Sequence, residues 1–486
     1  MDERLLTDAD LALAPGRGER SPWLREALAD EGDPAPAPRL SGTVHADVAI
    51  IGGGYTGLWT AYQLLERDPD LRVVLLEADI CGGGPSGRNG GFVNSWWDEA
   101  SGLVSAFGEA GARACLDEAA TSVREIGAWC ERHGVDAHYR RNGMLVVSTT
   151  PAHDRRMDDD VETAARLGDP EAFRALTAAG VAARCRSPRF RRGALMRDAA
   201  TVHPARLVRG LRRVCLERGA VIHEDSRAFD VRDAEGGTLR VRTEGGEIRA
   251  RRVVLAVNAW ATGWPGARSR LLAWGSYMVR SEPIPDLVAS ELAWTGGESI
   301  IDARFSVHYL HVTREGRIAI GAGGGRPGFG GRIGATFTDD VTAARRAAFA
   351  FRWLFPQLAT VRLTDAWGGP IDVSPDHLPH AWSTRGGRMH IAAGYSGNGV
   401  APSHLVGRLL AALALDADDP ITRLPIVGRP RPPFPPEPFR YVGARMIREA
   451  MIRREDAEEA GRPPGRLLRE LSRLPRRVGY HLGPGE

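Results

Sequence analysis

An α/β fold is what the 486-residue sequence predicts, and three observations carry it. An apolar run of buried-strand length, Ala46-Asp47-Val48-Ala49-Ile50-Ile51, leads straight into the glycine turn Gly52-Gly53-Gly54-Tyr55-Thr56-Gly57. A helical pattern follows, with Leu58, Ala61, Tyr62 and Leu65 at i, i+3, i+4 and i+7, and Arg72 to Glu77 then reads as a second buried strand. Near the other end the order recurs, with a strand at His390 to Ala393, a glycine-rich turn, and a helix from Ser403 to Leu415.

Between these ends the elements alternate. Residues 1–40 are Pro-, Gly- and Ala-rich (Pro34-Ala35-Pro36-Ala37-Pro38), which predicts an arm lying on the surface. Residues 105–135 and 155–185 are rich in Ala, Arg and Glu and predict helices, with a strand at Gly143 to Ser148 between them. Ala220 to Glu224, Leu239 to Thr243 and Arg251 to Val257 predict strands, the last ending in Asn258-Ala259, and Ala273 to Ile320 predicts several more. From Ile421 the chain is first Pro-rich (Arg429 to Pro438) and then Arg-rich and helical. Residues 421–486 hold 14 Arg and 8 acids, a net +6. A solvated helix packed on its own protein is the reading preferred over a positive surface for an acidic partner or membrane.

Composition excludes several functions. The 64 basic residues are all arginine, so Schiff-base lysine chemistry and a lysine-dependent phosphate loop are impossible. The 61 acids nearly balance them, which argues against nucleic acid as a partner. No stretch approaches the ~18 apolar residues of a membrane span, and the acidic Met1 to Asp10 lacks the pattern of a secretory signal. Five scattered cysteines, Cys81, Cys115, Cys130, Cys185 and Cys215, form no C-x-x-C pair. No disulfide framework or metal site is predicted, and a reducing cytoplasm fits. Glycine, 58 of 486, is about 12% against a usual ~7%, as expected where backbone must approach a ligand closely.

The chemistry begins at the first glycine turn, a GxGxxG between strand and helix. Gly52 permits the turn, Gly54 lets backbone approach a pyrophosphate, and Gly57 allows close helix–strand packing, with the phosphates at the helix N-terminus beside Tyr55 and Thr56. Twenty residues after Gly57 stands Glu77, placed to accept hydrogen bonds from both hydroxyls of an adenosine ribose. A second loop, Gly82-Gly83-Gly84-Pro85-Ser86-Gly87-Arg88-Asn89-Gly90-Gly91, follows at once, and Arg88 and Asn89 offer donors to phosphate or to a flavin edge. Gly394-Tyr395-Ser396-Gly397-Asn398-Gly399-Val400-Ala401 opens the late helix, where amides can face a flavin carbonyl.

The segments ADVAIIGGGYTGLWTAYQLL, LLEAD, GPSGRNGGF, RRVVLAVNAWA, WGGPIDVSPDHLP and GYSGNGVA together resemble the glycine/D-amino-acid oxidase family of FAD enzymes, nearest the γ-glutamylputrescine oxidase-like branch, over residues 46–414. The resemblance implies a Rossmann-type FAD-binding domain (46–105, 200–265 and 360–415) and a mixed-sheet α+β substrate domain (106–199 and 266–359). Around them lie the N-terminal arm (1–45) and an Arg-rich C-terminal extension (416–486). It implies oxidation of a small amine's C–N bond to an imine by hydride transfer to flavin, with dioxygen reoxidising the flavin to give hydrogen peroxide. A dehydrogenase with another acceptor, or a non-catalytic flavin-binding accessory protein, is the alternative. FAD contacts are expected from Gly52, Gly54, Tyr55, Thr56, Gly57, Glu77, Ser86, Gly87, Arg88, Asn89, Gly90, Gly91, Asn258, Gly369, Gly397, Asn398, Gly399 and Val400.

Departures from the family pattern refine this. Sarcosine-oxidase-like relatives carry a substrate-carboxylate lysine where this chain has Ala401, and an oxygen-reacting lysine where it has Ala319. Amines without an obligatory α-carboxylate are therefore expected as substrates, with Arg88, His308 or His311 supplying the positive charge for dioxygen. No cysteine follows Cys215 and no histidine lies in the second loop, so non-covalent FAD is expected. Candidate substrate contacts lie on a strand read as Asp302 to His311. Phe305, Tyr309 and His311 share one face, Ser306 and His308 the other, and Tyr309 matches a family tyrosine. Trp96-Trp97-Asp98-Glu99 reads either as aromatic faces and carboxylates for a cationic amine or as core packing with a helix N-terminal acid.

Overall fold

A computed structural model describes residues 3–16, 18–429, 432–477 and 480. The remaining positions of the predicted arm and extension (1, 2, 17, 430, 431, 478, 479 and 481–486) lie outside the described residues. The first sheet runs in the order His380–Thr384, Met389–Ala393, Gly246–Leu255, Gly42–Ile51, Val73–Leu76 and Val221–His223. Four of these five pairings are parallel, and His380–Thr384 pairs antiparallel at one end. The helix Tyr55–Arg67 starts immediately beyond the central strand, and its partner on the same face is the late helix Val400–Ala414. Ala49–Ile51 and Val73–Leu76 are apolar without alternation because both faces are covered, one by the helices and the other by Val231, Val241 and Trp382.

The second sheet is mixed. Its order is Leu363–Val373, Leu272–Ser281, Ile318–Ala322, His308–Val312, Ser299–Asp302, Met144–Val147, Gly193–Met196 and Phe173–Leu176. Every neighbour is antiparallel except Ser299–Asp302 against Met144–Val147. The predicted α/β class with a mixed-sheet second part is the observed architecture.

Four local expectations change. Leu363–Val373, expected with the dinucleotide domain, instead pairs antiparallel along Leu272–Ser281, so the chain returns to the first sheet only after Val373. The stretch 155–185 is not one helix. Pro151–Arg166 ends at a left-handed Gly168 (φ +86°), and Phe173–Leu176 joins the second sheet. The strand read through 302–311 is a hairpin, Ser299–Asp302 and His308–Val312, with Ile301 facing Tyr309 across it.

The fourth change concerns the N-terminal arm, which is packed in rather than laid on. Ser21 caps the helix Pro22–Asp30, and its hydroxyl also donates to the Gly87 carbonyl. Trp23 is 1% exposed and meets Trp367 and His203 edge-on at 5.6 and 5.1 Å, with the Arg280 guanidinium 4.8 Å from its ring centre. Asp10 pairs with Arg352 in the interior through two contacts of 2.9 Å. Proline-rich flanks hid a short helix whose apolar side is only Trp23, Leu24 and Ala27. Trp23→Ala is expected to cost about 3–5 kcal/mol in urea unfolding, as for other buried tryptophans. A surface arm would give a change within about 0.5 kcal/mol.

Candidate active site

The first glycine turn forms a cradle because its backbone could not take a side chain. Gly52 sits at φ +113°, and a Cβ there would collide with the Ala256 carbonyl. Gly52, Gly54, Tyr55 and Thr56 line a cavity of about 810 Å³, while Gly57 lies behind the turn against Ile50. Glu77, half-buried on the same wall, accepts hydrogen bonds from the Gly53 and Asp79 amides at 2.7 and 2.9 Å. Burial pushes its carboxyl upward against those donors. The cradle, the acid and the helix N-terminus suit the adenosine and pyrophosphate of a dinucleotide.

The second loop behaves differently from expectation. Ser86 and Gly90 line the cavity, whereas Gly87 and Gly91 lie behind it. Arg88 and Asn89 line it too, but their donors are turned to the backbone. Arg88 Nε, Nη1 and Nη2 donate to the Gly83, Gly368 and Glu19 carbonyls at 3.1, 3.2 and 2.9 Å. Asn89 donates to Pro85 and Ser86 and accepts from the Gly91 amide. These side chains brace the loop.

Beside the cradle lies the turn before the late helix, where Gly397, Asn398, Gly399 and Val400 reach the wall with Gly369 and Asn258. A residue that sequence reasoning missed fixes this arrangement. Asp372 is fully buried and accepts from the Gly394 and Tyr395 amides and from Asn258 Nδ2. Burial pushes its carboxyl up to about 6 against those donors. Tyr395 in turn bonds Thr56 Oγ1 at 2.7 Å, tying this turn to the cradle. The signal was present in the motif WGGPIDVSPDHLP, but nothing local says where Asp372 points.

The remaining wall belongs to the second sheet. Tyr309 lines the cavity, its ring lying where any side chain on Gly321 would be, and its hydroxyl bonds Ser276 Oγ at 2.8 Å. Burial raises the phenol to about 12, so it stays protonated. His308 points away, out of the cavity: its Nδ1 lies 2.7 Å from Asp302 and its ring faces Trp353. Burial would push the Asp302 carboxyl up, but His308 and Arg304 hold it low. His311 stacks on Trp23 outside the cavity, and burial pushes its pKa down to about 3, so it cannot serve as a cation. Phe305 reaches the cavity from the hairpin turn rather than from a strand. Trp96 and Trp97 are core residues, whereas Asp98 and Glu99 reach the wall.

The family described as FAD dependent oxidoreductase (DAO) matches residues 47–413, three quarters of the chain and every segment of the cradle and the turn beside it. The chain belongs to this family. It is similar to the probable oxidoreductase OrdL of Rhizobium meliloti (strain 1021), 31% identical over 78% of this chain and 85% of the relative. It is also similar to the gamma-glutamylputrescine oxidoreductase of Escherichia coli (strain K12), 28% identical over 78% of this chain and 86% of the relative. Among solved structures, glycine oxidase from Geobacillus kaustophilus shares the fold, with a TM-score of 0.66 and 20% identity over 80% of this chain and all of that one.

In this FAD-dependent oxidoreductase the wall continues beyond the matched residues. Phe434, Phe439, Gly443, Ala444, Ile447 and Arg448 of the extension line the same cavity, so the helix packs on its own protein as expected, with one side turned to the cavity rather than to solvent. Arg448 donates to the Gly324 and Gly325 carbonyls. Buried Glu455 accepts from the Phe305 amide and the Ser306 hydroxyl and, with Glu459, pairs with Arg304. The helix Phe439–Glu459 thus holds the hairpin turn beside Tyr309. Asp372→Ala strands two amides and is expected to lower stability by about 1–3 kcal/mol and to weaken FAD retention on gel filtration. An unchanged urea midpoint with full retention would contradict the role given to Asp372.

Proposed function

We propose that the protein oxidises an amine at the carbon beside its nitrogen, with dioxygen as terminal acceptor and hydrogen peroxide as a product. One observation carries this reading: a single cavity runs past Glu77, the turn Ser396 to Val400, and Tyr309, so a dinucleotide and a small substrate would share one enclosure. When bound, FAD would supply the two-electron acceptor for hydride leaving the substrate carbon, giving an imine that water hydrolyses.

The chain's own contribution is positioning and exclusion of water. Tyr309, protonated and fixed by Ser276, presents a rigid face and a hydroxyl to the substrate. The amides opening the helix Val400–Ala414 favour negative charge near them. Arg88 places a fixed positive charge on the wall, our candidate for assisting dioxygen. His308 has no place in this scheme, since it serves Asp302 instead.

The name of one relative, a gamma-glutamylputrescine oxidoreductase, supports an amine substrate. Ala401 and Ala319 are buried off the cavity wall, and Ala319 packs with Trp23, Met278 and Trp367. Neither position offers a cation to an α-carboxylate, which favours amines that lack one. None of the five cysteines lines the cavity, in keeping with non-covalent FAD.

Primary and secondary alkylamines are expected to bleach the flavin without oxygen, and air should restore the colour with one hydrogen peroxide per amine oxidised. Failure of every amine to bleach it contradicts the reading, and bleaching that air does not reverse removes dioxygen as acceptor. Acid precipitation should release the flavin into the supernatant; flavin left in the pellet contradicts non-covalent binding.

A further inference from the structure

The extension ends in a helix whose outer side the active site does not use. Arg466–Arg477 carries five arginines against one acid, Glu470, a net +4, together with four leucines. At about 100° per residue, Leu467, Leu471 and Leu474 fall in one row along it. Ser472 and Pro475, to one side of that row, are the buried positions. There the helix rests on Phe439–Glu459, with Arg454 donating to the Ser472 hydroxyl at 3.4 Å. Arg466, Arg469, Arg473 and Arg477 flank the row on its other side and are exposed.

The leucine row itself is left in water. Leu467 is 71% exposed, Leu474 is exposed too, and Leu471 between them is only half-buried. A second row runs along the preceding helix, where the exposed Phe439, Val442 and Met446 stand at i, i+3 and i+7. Beside it the exposed Phe329 ring meets Tyr441 edge-on at 5.4 Å, and the Arg445 guanidinium lies 5.6 Å from the Tyr441 ring centre. Single exposed apolar residues need no explanation, but rows of them on two packed helices mark a contact surface.

Charge decides what meets it. Two copies of this chain joined by this face would set one +4 helix against another, which opposes self-association. An anionic bilayer fits the form of the helix. The leucines can enter the acyl boundary while the arginine stems lie along it and keep their guanidinium groups among the headgroups. Twelve residues rise only about 18 Å, too short for the ~30 Å hydrocarbon core, so the helix is suited to lie along the interface.

We propose that the leucine row of Arg466–Arg477, with its arginine flank, docks the protein on an anionic lipid surface. The leucines supply the apolar contact and the arginines the preference for anionic headgroups. Neither Leu467 nor Leu474 lines the cavity, so docking leaves the redox site intact and is independent of the amine-oxidation reading. Pro475 does line it, which sets the docking helix against the cavity wall.

The test is flotation of the full-length protein with vesicles of phosphatidylcholine alone or with one-third phosphatidylglycerol. At low salt at least five-fold more protein should float with the anionic vesicles, and high salt should shrink the difference. Leu467→Gln combined with Leu474→Gln should cut the bound fraction at least five-fold with an unchanged urea midpoint. Arg473→Gln with Arg477→Gln should cut it by a smaller factor. No flotation with anionic vesicles, equal flotation with both kinds, or binding that survives the two leucine substitutions overturns the proposal. A dimer in sedimentation velocity that those substitutions abolish, without flotation, gives the surface to a second copy. Retention on poly-glutamate that depends on the same leucines, without flotation, gives it to an acidic protein; either result overturns lipid docking. Should the leucine variant fail to fold, hydrogen exchange on wild type decides: anionic vesicles should slow the amides of 466–477, and unchanged exchange there overturns the proposal.

Discussion

Asp372 is the point at which the two sheets become one site. It lies near the end of Leu363–Val373, a strand of the second sheet, yet its carboxylate accepts hydrogen bonds from Gly394 and Tyr395, which leave the first sheet. Asn258, in a left-handed conformation (φ +47°) just past another strand of the first sheet, donates to the same carboxylate. Three segments far apart in sequence therefore meet on one buried side chain, and Tyr395 passes the connection to Thr56 at the cradle. Losing this one buried acceptor would leave the Gly394 and Tyr395 amides and Asn258 Nδ2 without their shared partner at once.

A chain without lysine builds its site with arginine in a particular way. Arg88 spans the second loop, the strand at Gly368 and the N-terminal arm at Glu19. Arg448 grips Gly324 and Gly325, and Arg352 takes three carbonyls beyond its pair with Asp10. Each uses the planar fork of donors to hold backbone carbonyls of turns. The positive charge that Arg88 and Arg448 leave along the wall is a by-product of bracing.

The cradle was legible in the sequence because it is local: a strand, three glycines, a helix and an acid within about thirty residues report their own geometry. Strand alternation likewise put Tyr309 and His308 on opposite sides, which is how they lie. What could not be read depended on partners distant in the chain. Composition made 1–40 look like an unattached arm, since only contacts with Trp367, His203 and Gly87 show that Trp23 and Ser21 are interior. The extension looked solvated because its polar residues are many, but Glu455 and Arg448 turn inward to the hairpin and the Gly324 turn. Arg88 was expected to face a ligand from its charge and its place in the second loop, and the carbonyls that claim it lie 280 residues and 69 residues away as well as close by.

The central claim is that the cradle and the Tyr309 wall enclose one bound FAD, and a crystal structure of the FAD-loaded protein tests it most directly. The account predicts adenosine at Glu77, and the ring system between the turn Ser396 to Val400 and Tyr309, with Asp372 still bonded to Gly394 and Tyr395. FAD density outside this cavity, or a ring system with Tyr309 and the late helix turn on different sides of a closed wall, would contradict it.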